Sequence, residues 1–264
     1  MPIVKAALLP HSPLLIPEIG KSNQSLLQKT RDAYQEIIAD CQEKEVDTIV
    51  ILSPHGPIQD NFFTINIAPD FSLDLSQFGY LNNKKIPGDT ALAYHLKQTL
   101  KQDFPIQQIT VNPTDYGSAI PLHLFQAAIP KLKTIIIYHS RLDLETHHRF
   151  GLLLGGFLQT QANNIAVIAS GDLSHRLKKS SPAGYSPKGA KFDNKIIEYL
   201  NDPENGRDNL LKIDANLSKD AGECGLKAIV ILTGLLENFP HEAKVLAYQT
   251  DFGIGYLSMD FLLK

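Results

Sequence analysis

The sequence predicts a single-domain α/β protein with a mixed, mostly parallel central sheet and helices on both faces of that sheet. Short apolar runs rich in Ile and Val alternate with amphipathic segments along most of the 264 residues. This alternation is typical of a sheet covered by helices on both sides. The last two apolar runs, 243–248 and 255–263, have no helix between them, which indicates a mixed sheet. We expect one domain over residues 1–264.

The individual elements follow from apolar periodicity and from the positions of Pro, Gly and capping residues. Strands are predicted at residues 3–9, 48–52, 63–67, 106–111, 133–138, 165–170, 243–248 and 255–263. Helices are predicted at residues 25–41, 89–100, 144–160, 188–200, 209–217 and 222–237. Asp89 fits an N-cap, Pro121 suits the first turn of a further helix, and the glycines within 144–160 would allow close packing. Strict alternation predicts that the strand 63–67 is half exposed, whereas residues 69–87 give no clear signal.

Composition excludes several classes of partner. A formal net charge of −3 and a pI near 6.3 leave no basic footprint, so neither nucleic acid nor an anionic membrane surface is expected as a partner. The two cysteines, Cys41 and Cys224, lack CxxC spacing and favour a reducing compartment over a disulfide framework. There is no apolar run of membrane-spanning length and no signal-peptide pattern near the start. We therefore expect a cytoplasmic location.

Three of the nine histidines follow predicted strands directly, in segments rich in Pro, Gly and Ser. His11 lies in PHSP after the first strand, His55 in SPHGP after the second, and His175 in SGDLSH after the strand 165–170. Open α/β sheets bind their ligands at the carboxyl ends of the strands. These three histidines are therefore the candidates for a functional site. No metal-binding or catalytic role is expected for His139, for His241 or for the pair His147 and His148, which we place on a solvated helix.

Two imidazoles and one carboxylate on one face of a metal ion leave three positions open, as in non-haem Fe(II) oxygenases. Glu223 in AGECG is the candidate carboxylate. Its alternative role is that of a favourable charge at a helix N-terminus, worth about 0.3 to 1 kcal/mol. Asp172 and Glu18 compete with Glu223 for the place of third ligand.

Five segments together resemble a known family. PHSPLLIPEIG, SPHGP, SGDLSH, SPKGAKFD and GECGLK occur in the order seen in the LigB-like class III extradiol dioxygenases, and the chain looks most similar to the bacterial Memo-like branch, also called AmmeMemoRadiSam system protein B. The resemblance implies an Fe(II) site formed by His11, His55 and Glu223, with His175 as the acid/base of ring cleavage. It also implies a small aromatic diol and O2 as the substrates.

The chain departs from this family where relatives often have Asp-His-Gly. Here the sequence is Asp115-Tyr116-Gly117, so Tyr116 replaces a histidine that contacts substrate or oxygen. We expect Tyr116, His123 and Asp172 to surround the metal ligands. Two other functions stay open at this point: a metal-binding protein without oxygenase activity that acts with a radical-SAM partner, and a hydrolase that uses Zn or another divalent metal. A homo-oligomer is also left open.

Overall fold

The computed structural model describes residues 2–264, with the side chains of residues 82 and 83 left out. Its strands are β1 (Ile3–Leu9), β2 (Thr48–Ser53), β3 (Phe63–Asn66), β4 (Asp70–Leu75), β5 (Tyr80–Pro87), β6 (Ile106–Ile109), β7 (Lys133–Tyr138), β8 (Ile165–Ser170), β9 (His241–Gln249) and β10 (Tyr256–Leu263). Its α-helices are α1 (Pro17–Gly20), α2 (Gln28–Glu43), α3 (Thr90–Leu100), α4 (Tyr116–Ala128), α5 (Leu144–Leu158), α6 (Pro187–Asn201), α7 (Gly206–Leu211), α8 (Ala215–Ala221) and α9 (Leu226–Leu236).

Eight of the strands form one sheet in the order β6-β3-β7-β2-β8-β1-β10-β9. The four central strands β7, β2, β8 and β1 run parallel. On one side β10 and β9 add antiparallel pairs, and on the other β3 pairs antiparallel with β7. The predicted α/β fold with a mixed, mostly parallel sheet is therefore confirmed. Because β2, β8 and β1 are neighbours and parallel, the loops that follow them open at the same edge of the sheet.

Side chains that alternate along the central strands supply two apolar layers, one on each face of the sheet. In β2, Val50 and Leu52 belong to the layer that includes residues of α5 and α9. Ile49 and Ile51 belong to the opposite layer, with residues of α2 and α4. This period of two in a strand buried on both faces explains its unbroken run of aliphatic residues. None of the helices formed by residues 2–264 combines the length and apolar character needed to cross a membrane.

Two segments of the sheet differ from the prediction. The strand β3, predicted to be half exposed, is fully buried because β6 and β7 flank it and aromatic rings cover it. One of these contacts stacks Phe63 on Phe150 with 3.9 Å between ring centroids. Residues 69–87, which gave no signal, form the two-stranded sheet β4–β5. The polar sequence of β5 hides its strand character.

Three helical predictions are also corrected. The helix predicted to begin near Pro121 begins at Tyr116, because Asp115 caps it by accepting a hydrogen bond from the backbone N of Ser118 at 3.0 Å. The segment 209–217 is divided between α7 and α8. The last long helix begins at Leu226 rather than at residue 222, so the residues just before it lie in a turn.

The histidine pair on α5 is buried rather than solvated. His147 donates from Nδ1 to the carbonyl oxygen of Asp143 at 2.6 Å, and its Nε2 accepts from the backbone N of Ser140 at 3.2 Å. Both ring nitrogens are therefore used to join the end of β7 to α5. His148 lies on the same helix with its Nε2 3.4 Å from a carboxylate oxygen of Glu237.

Candidate metal centre

The ring of His11 is buried at the carboxyl end of β1 and is held in one tautomer. Its Nδ1 lies 3.0 Å from Oγ of Ser170, which the sheet register places opposite Leu9 at the end of β8. Ser170 Oγ donates its hydrogen to the carbonyl oxygen of Gly117 at 2.6 Å. It can therefore only accept from His11, so Nδ1 carries the hydrogen and Nε2 presents a lone pair.

The carbonyl oxygen of Gly117 is available to Ser170 because of Pro121. In an α-helix the carbonyl of residue 117 would accept from the backbone N–H of residue 121. Pro121 has no N–H and lies inside α4. The serine hydroxyl takes the vacant position on this carbonyl, and helix α4 thereby contributes to the orientation of His11.

His55 follows β2 and approaches His11 closely. The two Nε2 atoms lie 3.1 Å apart. The backbone N of His55 donates to Oγ of Ser53 at 3.3 Å, and this hydroxyl donates to Asp115 at 2.7 Å. The ring of Tyr116 stacks on His55 with 4.4 Å between centroids. The cap of α4 therefore also fixes the second imidazole.

Cys224 brings a thiol to the two imidazoles from the turn before α9. Its Sγ lies 3.7 Å from Nε2 of His11, and the donor atoms of His11, His55 and Cys224 all lie within 4.8 Å of one another. A second group with the same spacing consists of Asp172, His175 and Cys224. The two groups share the sulfur and form one continuous cluster of donors.

Glu223, predicted as the third ligand, is directed elsewhere by this structure. Its two carboxylate oxygens accept from the hydroxyl of Ser218 and from the backbone N of Leu226, both at 2.7 Å. Leu226 is the first residue of α9, so Glu223 satisfies a backbone donor that the helix itself leaves unpaired. Among residues 2–264 with described side chains, no candidate metal group includes Glu223.

Two other predicted participants also lie outside the candidate groups found in the described part of the chain. Glu18 is exposed in α1. His123 lies on α4 with its ring 5.6 Å from that of Tyr80, and burial lowers its pKa.

Asp172 and His175 complete the site from the loop after β8. One carboxylate oxygen of Asp172 accepts from the backbone N of His11 at 3.1 Å, and the other lies 3.7 Å from Nε2 of that histidine. His175 Nδ1 lies 2.8 Å from the carbonyl oxygen of Gly222. Because a carbonyl only accepts, Nδ1 carries the hydrogen, and the lone pair on Nε2 lies 3.8 Å from Asp172.

Burial dominates the electrostatics of the cluster. It lowers the pKa of His11 to about 3 and that of His55 to about 4, so both rings are neutral at pH 7. Burial also raises the pKa of Asp172 to about 6 and raises the pKa values of the Cys224 thiol and the Tyr116 hydroxyl. Imidazoles must be neutral to bind a metal ion, and these two already are.

The donor chemistry fits a divalent metal ion. Nε2 of His11, whose lone pair is fixed by the contact with Ser170, and Nε2 of His55 stand beside a thiol, with the three donor atoms within 4.8 Å of one another. Imidazole suits Fe, Zn and Cu, while thiolate favours softer ions such as Zn and Cu(I). His11 and His55 would hold the ion with Cys224, and the Ser170 contact supplies the outer hydrogen bond that orients a metal-binding histidine. Sequence reasoning missed Cys224 and Ser170; the thiol beside Glu223 was the available signal.

The structure is thus an α/β protein whose central strands β1 and β2 end in two imidazoles, His11 and His55, that could hold a metal ion with the thiol of Cys224 from the turn before α9. The family model described as the catalytic LigB subunit of aromatic ring-opening dioxygenase matches residues 5–258. The chain therefore belongs to the LigB family.

Two curated relatives are similar over most of the chain. Protein CA_C1420 of Clostridium acetobutylicum is 28% identical over 260 residues, which cover 94% of this chain and 55% of that protein. This chain thus spans about half the length of that relative. The 3,4-dihydroxyphenylacetate 2,3-dioxygenase of Escherichia coli is 25% identical over 210 residues, which cover 74% of this chain and 75% of the relative.

A solved structure shows the same fold. The crystal structure of the uncharacterized protein JW3007 from Escherichia coli K12 superimposes with a TM-score of 0.70 at 16% identity, covering 97% of this chain and 99% of that one. At this identity the likeness concerns the fold alone.

Proposed function

We propose that this chain is a metal-dependent extradiol-type dioxygenase, an oxidoreductase that opens a small aromatic diol with O2. Family membership supports an oxygenase-type site, and one relative is a dioxygenase by name. The observation that carries the proposal is that the Nε2 atoms of His11 and His55 lie 3.1 Å apart. The Nε2 atom of His175 lies beside them in the same cluster of donors. When bound, Fe(II) supplies the electron transfer between an aromatic ring and O2.

In this proposal His175 moves the protons. Its Nδ1–H is held by the carbonyl of Gly222, so Nε2 can take a proton from a diol hydroxyl and return it later. An imidazole suits this task because one ring nitrogen can accept a proton while the other donates a hydrogen bond. Asp172, 3.8 Å from Nε2, stabilises the imidazolium that forms. Tyr116, stacked on His55, forms one wall against the substrate ring.

A second candidate function is favoured by the thiol of Cys224. A set of two imidazoles and one thiolate is softer than the set of two imidazoles and a carboxylate typical of non-haem Fe(II) oxygenases, and thiolate selects Zn or Cu(I). The candidate is a metal-binding protein without oxygenase activity, in line with the Memo-like branch that the sequence resembles. It would use the same His11, His55 and Cys224 with a different ion.

Anaerobic reloading with one metal at a time tests the proposal. Chelator-treated protein is loaded with Fe(II) or Zn(II), and oxygen uptake and ring-opened product are followed with a panel of aromatic diols that includes 3,4-dihydroxyphenylacetate. We expect turnover with Fe(II) and none with Zn(II). A stoichiometric iron content with no oxygen uptake on any diol would reject the dioxygenase and leave the second candidate.

Two variants separate a ligand from a proton carrier. His175→Ala should keep its metal content and still bind the diol, but lose about 10² to 10⁴-fold in turnover, the usual contribution of general acid/base work. His55→Ala should lose the metal itself. His95→Ala, an exposed histidine on α3, serves as the control and should match the wild type in both measurements. Unchanged turnover in His175→Ala would remove this residue from the mechanism.

A further inference from the structure

A cavity of about 470 Å³ adjoins the candidate metal centre. Cys224 and Pro54, the residue that precedes His55, form part of its lining. Much of the remaining wall is aliphatic and comes from the α5 and α8–α9 regions, with Leu142, Ile213 and Leu226 among its residues. The cavity therefore offers an apolar surface beside the donors, but none of the roles assigned above uses it.

Two lysines line this cavity, and Lys227 in the first turn of α9 is the less exposed of the two. Lys227 is half buried, and its Nζ donates to the carbonyl oxygen of Ser140 at 2.7 Å. That carbonyl also receives Nδ1 of His139 at 2.8 Å. An ammonium group has three hydrogens, and this is the one hydrogen bond of Lys227 within the described part of the chain. Two of its hydrogens are thus available to a ligand.

The acidic groups of the cavity are already engaged by the protein. Glu223 accepts from Ser218 and from the backbone of Leu226. Asp143 caps α5 and accepts from the backbone N of Thr146 at 2.7 Å. Both oxygens of Glu223 and one oxygen of Asp143 are used in this way. Of the two lysines that line the cavity, Lys219 is exposed, so the half-buried ammonium of Lys227 is the cation placed to meet a ligand inside it.

We infer that this cavity binds an organic anion with an apolar body, an aryl- or alkylcarboxylate, whose carboxylate pairs with Lys227. The body of such a ligand covers the aliphatic wall, and the charge-assisted hydrogen bonds from Nζ fix its acid end. As a binding site the cavity is independent of the reaction. As the pocket that selects acidic substrates it rests on the proposed function, and for that reason the test measures binding to the metal-free protein.

The probes are hydrocinnamate and phenylpropanol, which share an aryl body and differ in the charge at the end of the chain. Binding of each to the metal-free full chain is measured by calorimetry or by ligand-detected NMR. We expect the carboxylate to bind at least about tenfold more tightly than the alcohol, the ratio that a charge-assisted hydrogen bond provides. Equal affinities in the wild type would overturn the inference without touching the dioxygenase proposal.

Three substitutions locate the effect. Lys227→Met should weaken the binding of hydrocinnamate at least about tenfold, to the affinity of the alcohol, and leave the affinity for phenylpropanol unchanged. Lys227→Arg keeps the charge and should restore most of the affinity. Lys219→Met, at an exposed lysine that lines the same cavity, should change it by less than about twofold.

If Lys219→Met lost as much affinity for hydrocinnamate as Lys227→Met, Lys227 would not be the specific partner of the carboxylate. Thermal unfolding checks that each variant folds. Ser140 keeps the hydrogen bond from His139 when Lys227 is replaced, so we expect Lys227→Met to fold. If it does not, the comparison of acid and alcohol in the wild type decides the outcome.

Discussion

The side chains of Glu223 and Cys224 are neighbours in sequence but have different surroundings. The carboxylate turns toward Ser218 and the start of α9, whereas the sulfur lies 3.7 Å from Nε2 of His11. At this point the chain is in a turn, where successive side chains follow no fixed period. Which of the two residues points at the histidines is therefore set by where α9 begins.

Substitution of each neighbour separates these roles. Cys224→Ala should weaken Zn(II) binding at least about tenfold, because one of three donors is lost. Glu223→Gln should keep the metal, since its side chain lies outside the donor group, and should lower the free energy of unfolding by about 1 kcal/mol, because a neutral amide replaces a carboxylate in two hydrogen bonds. Metal content and thermal unfolding on the same preparations check both. A Glu223→Gln variant that loses its metal while Cys224→Ala keeps it would restore the carboxylate as ligand.

The three strand-end histidines could be selected from the sequence because each follows an apolar run that ends in Pro, Gly or Ser. The structure brings His11, His55 and His175 to the same edge of the sheet, beside Asp172. For the third donor the sequence indicates Glu223, whereas in the structure the thiol of the next residue, Cys224, lies beside His11; the order of two adjacent polar residues does not show which of them faces the histidines. Ser170 could not be recognised either, since its contact with His11 depends on the register between β1 and β8.

At the scale of elements, α5 and α9 approach each other so closely that glycine is required at specific positions. A Cβ on Gly151 would overlap the backbone oxygen of Ile231, whereas a Cβ on Gly156 would meet nothing within 4 Å. The sequence predicted that the glycines of this helix permit close packing. This holds for Gly151 but not for Gly156, which faces solvent.

These two glycines therefore form a matched pair. Gly151→Ala should lower the free energy of unfolding by about 1 to 3 kcal/mol, because backbone of α9 must move away. Gly156→Ala should raise it by up to about 1 kcal/mol, since alanine favours the helix more than glycine does. Urea unfolding of both variants provides the measurement. Equal effects in the two would mean that the contact between α5 and α9 is looser than described.

The link between β7 and α5 depends on a neutral histidine. Burial lowers the pKa of His147 from 6.5 to about 4, and its Nε2 accepts from Ser140, which a protonated ring cannot do. Between these two pH values the unfolded chain binds a proton that the folded chain does not. The free energy of unfolding therefore decreases as the pH falls from 6.5 to 4, by about 3 kcal/mol for this one group.

Replacing His147 with glutamine should remove this share of the pH dependence. The glutamine oxygen can still accept from Ser140 but does not titrate. Unfolding of the wild type and of His147→Gln is measured from pH 7 to pH 4, and the difference between the two slopes cancels the other titrating groups. His95→Gln, at an exposed position, should leave the slope unchanged. Parallel slopes for wild type and His147→Gln would contradict this prediction, because they would mean that His147 binds its proton equally well in the folded and the unfolded chain.

The elements most easily predicted were those whose pattern is local. The strands β1 and β7 and the cap Asp89 of α3 follow from apolar runs and from a single side chain, and the structure has them at the predicted positions. The hairpin β4–β5 could not be predicted because its polar strand is stabilised by its partner. The start of α4 was misplaced because the proline inside it was treated as a starting residue.

At the scale of the whole molecule, the donors come from distant parts of the chain. His11 and His55 follow β1 and β2, which flank β8 in the sheet, and Cys224 precedes α9. A metal ion bound by all three would connect the edge of the sheet to a helix on one of its faces. Such an ion would bind the folded chain far better than the unfolded one, in which these residues are apart.

Metal binding should therefore stabilise the whole fold. At a free Zn(II) concentration of 100 times Kd, the free energy of unfolding should rise by about 2.7 kcal/mol. A chelator should reverse the gain, and His55→Ala should abolish it. His95→Ala should respond as the wild type does. An equal gain in His55→Ala would place the stabilising ion elsewhere in the molecule.

Pro121 in α4 has an effect beyond its own helix. A proline in a helix interior usually reduces stability, because one backbone hydrogen bond is lost. Here the carbonyl left free by this loss holds the Ser170 hydroxyl, and that hydroxyl determines which nitrogen of His11 is protonated. Because Pro121 has no N–H in α4, the hydrogen of the His11 ring, at the end of β1, is fixed at Nδ1. Residue 121 therefore acts on the hydrogen of the His11 ring, although it supplies no donor to the candidate centre.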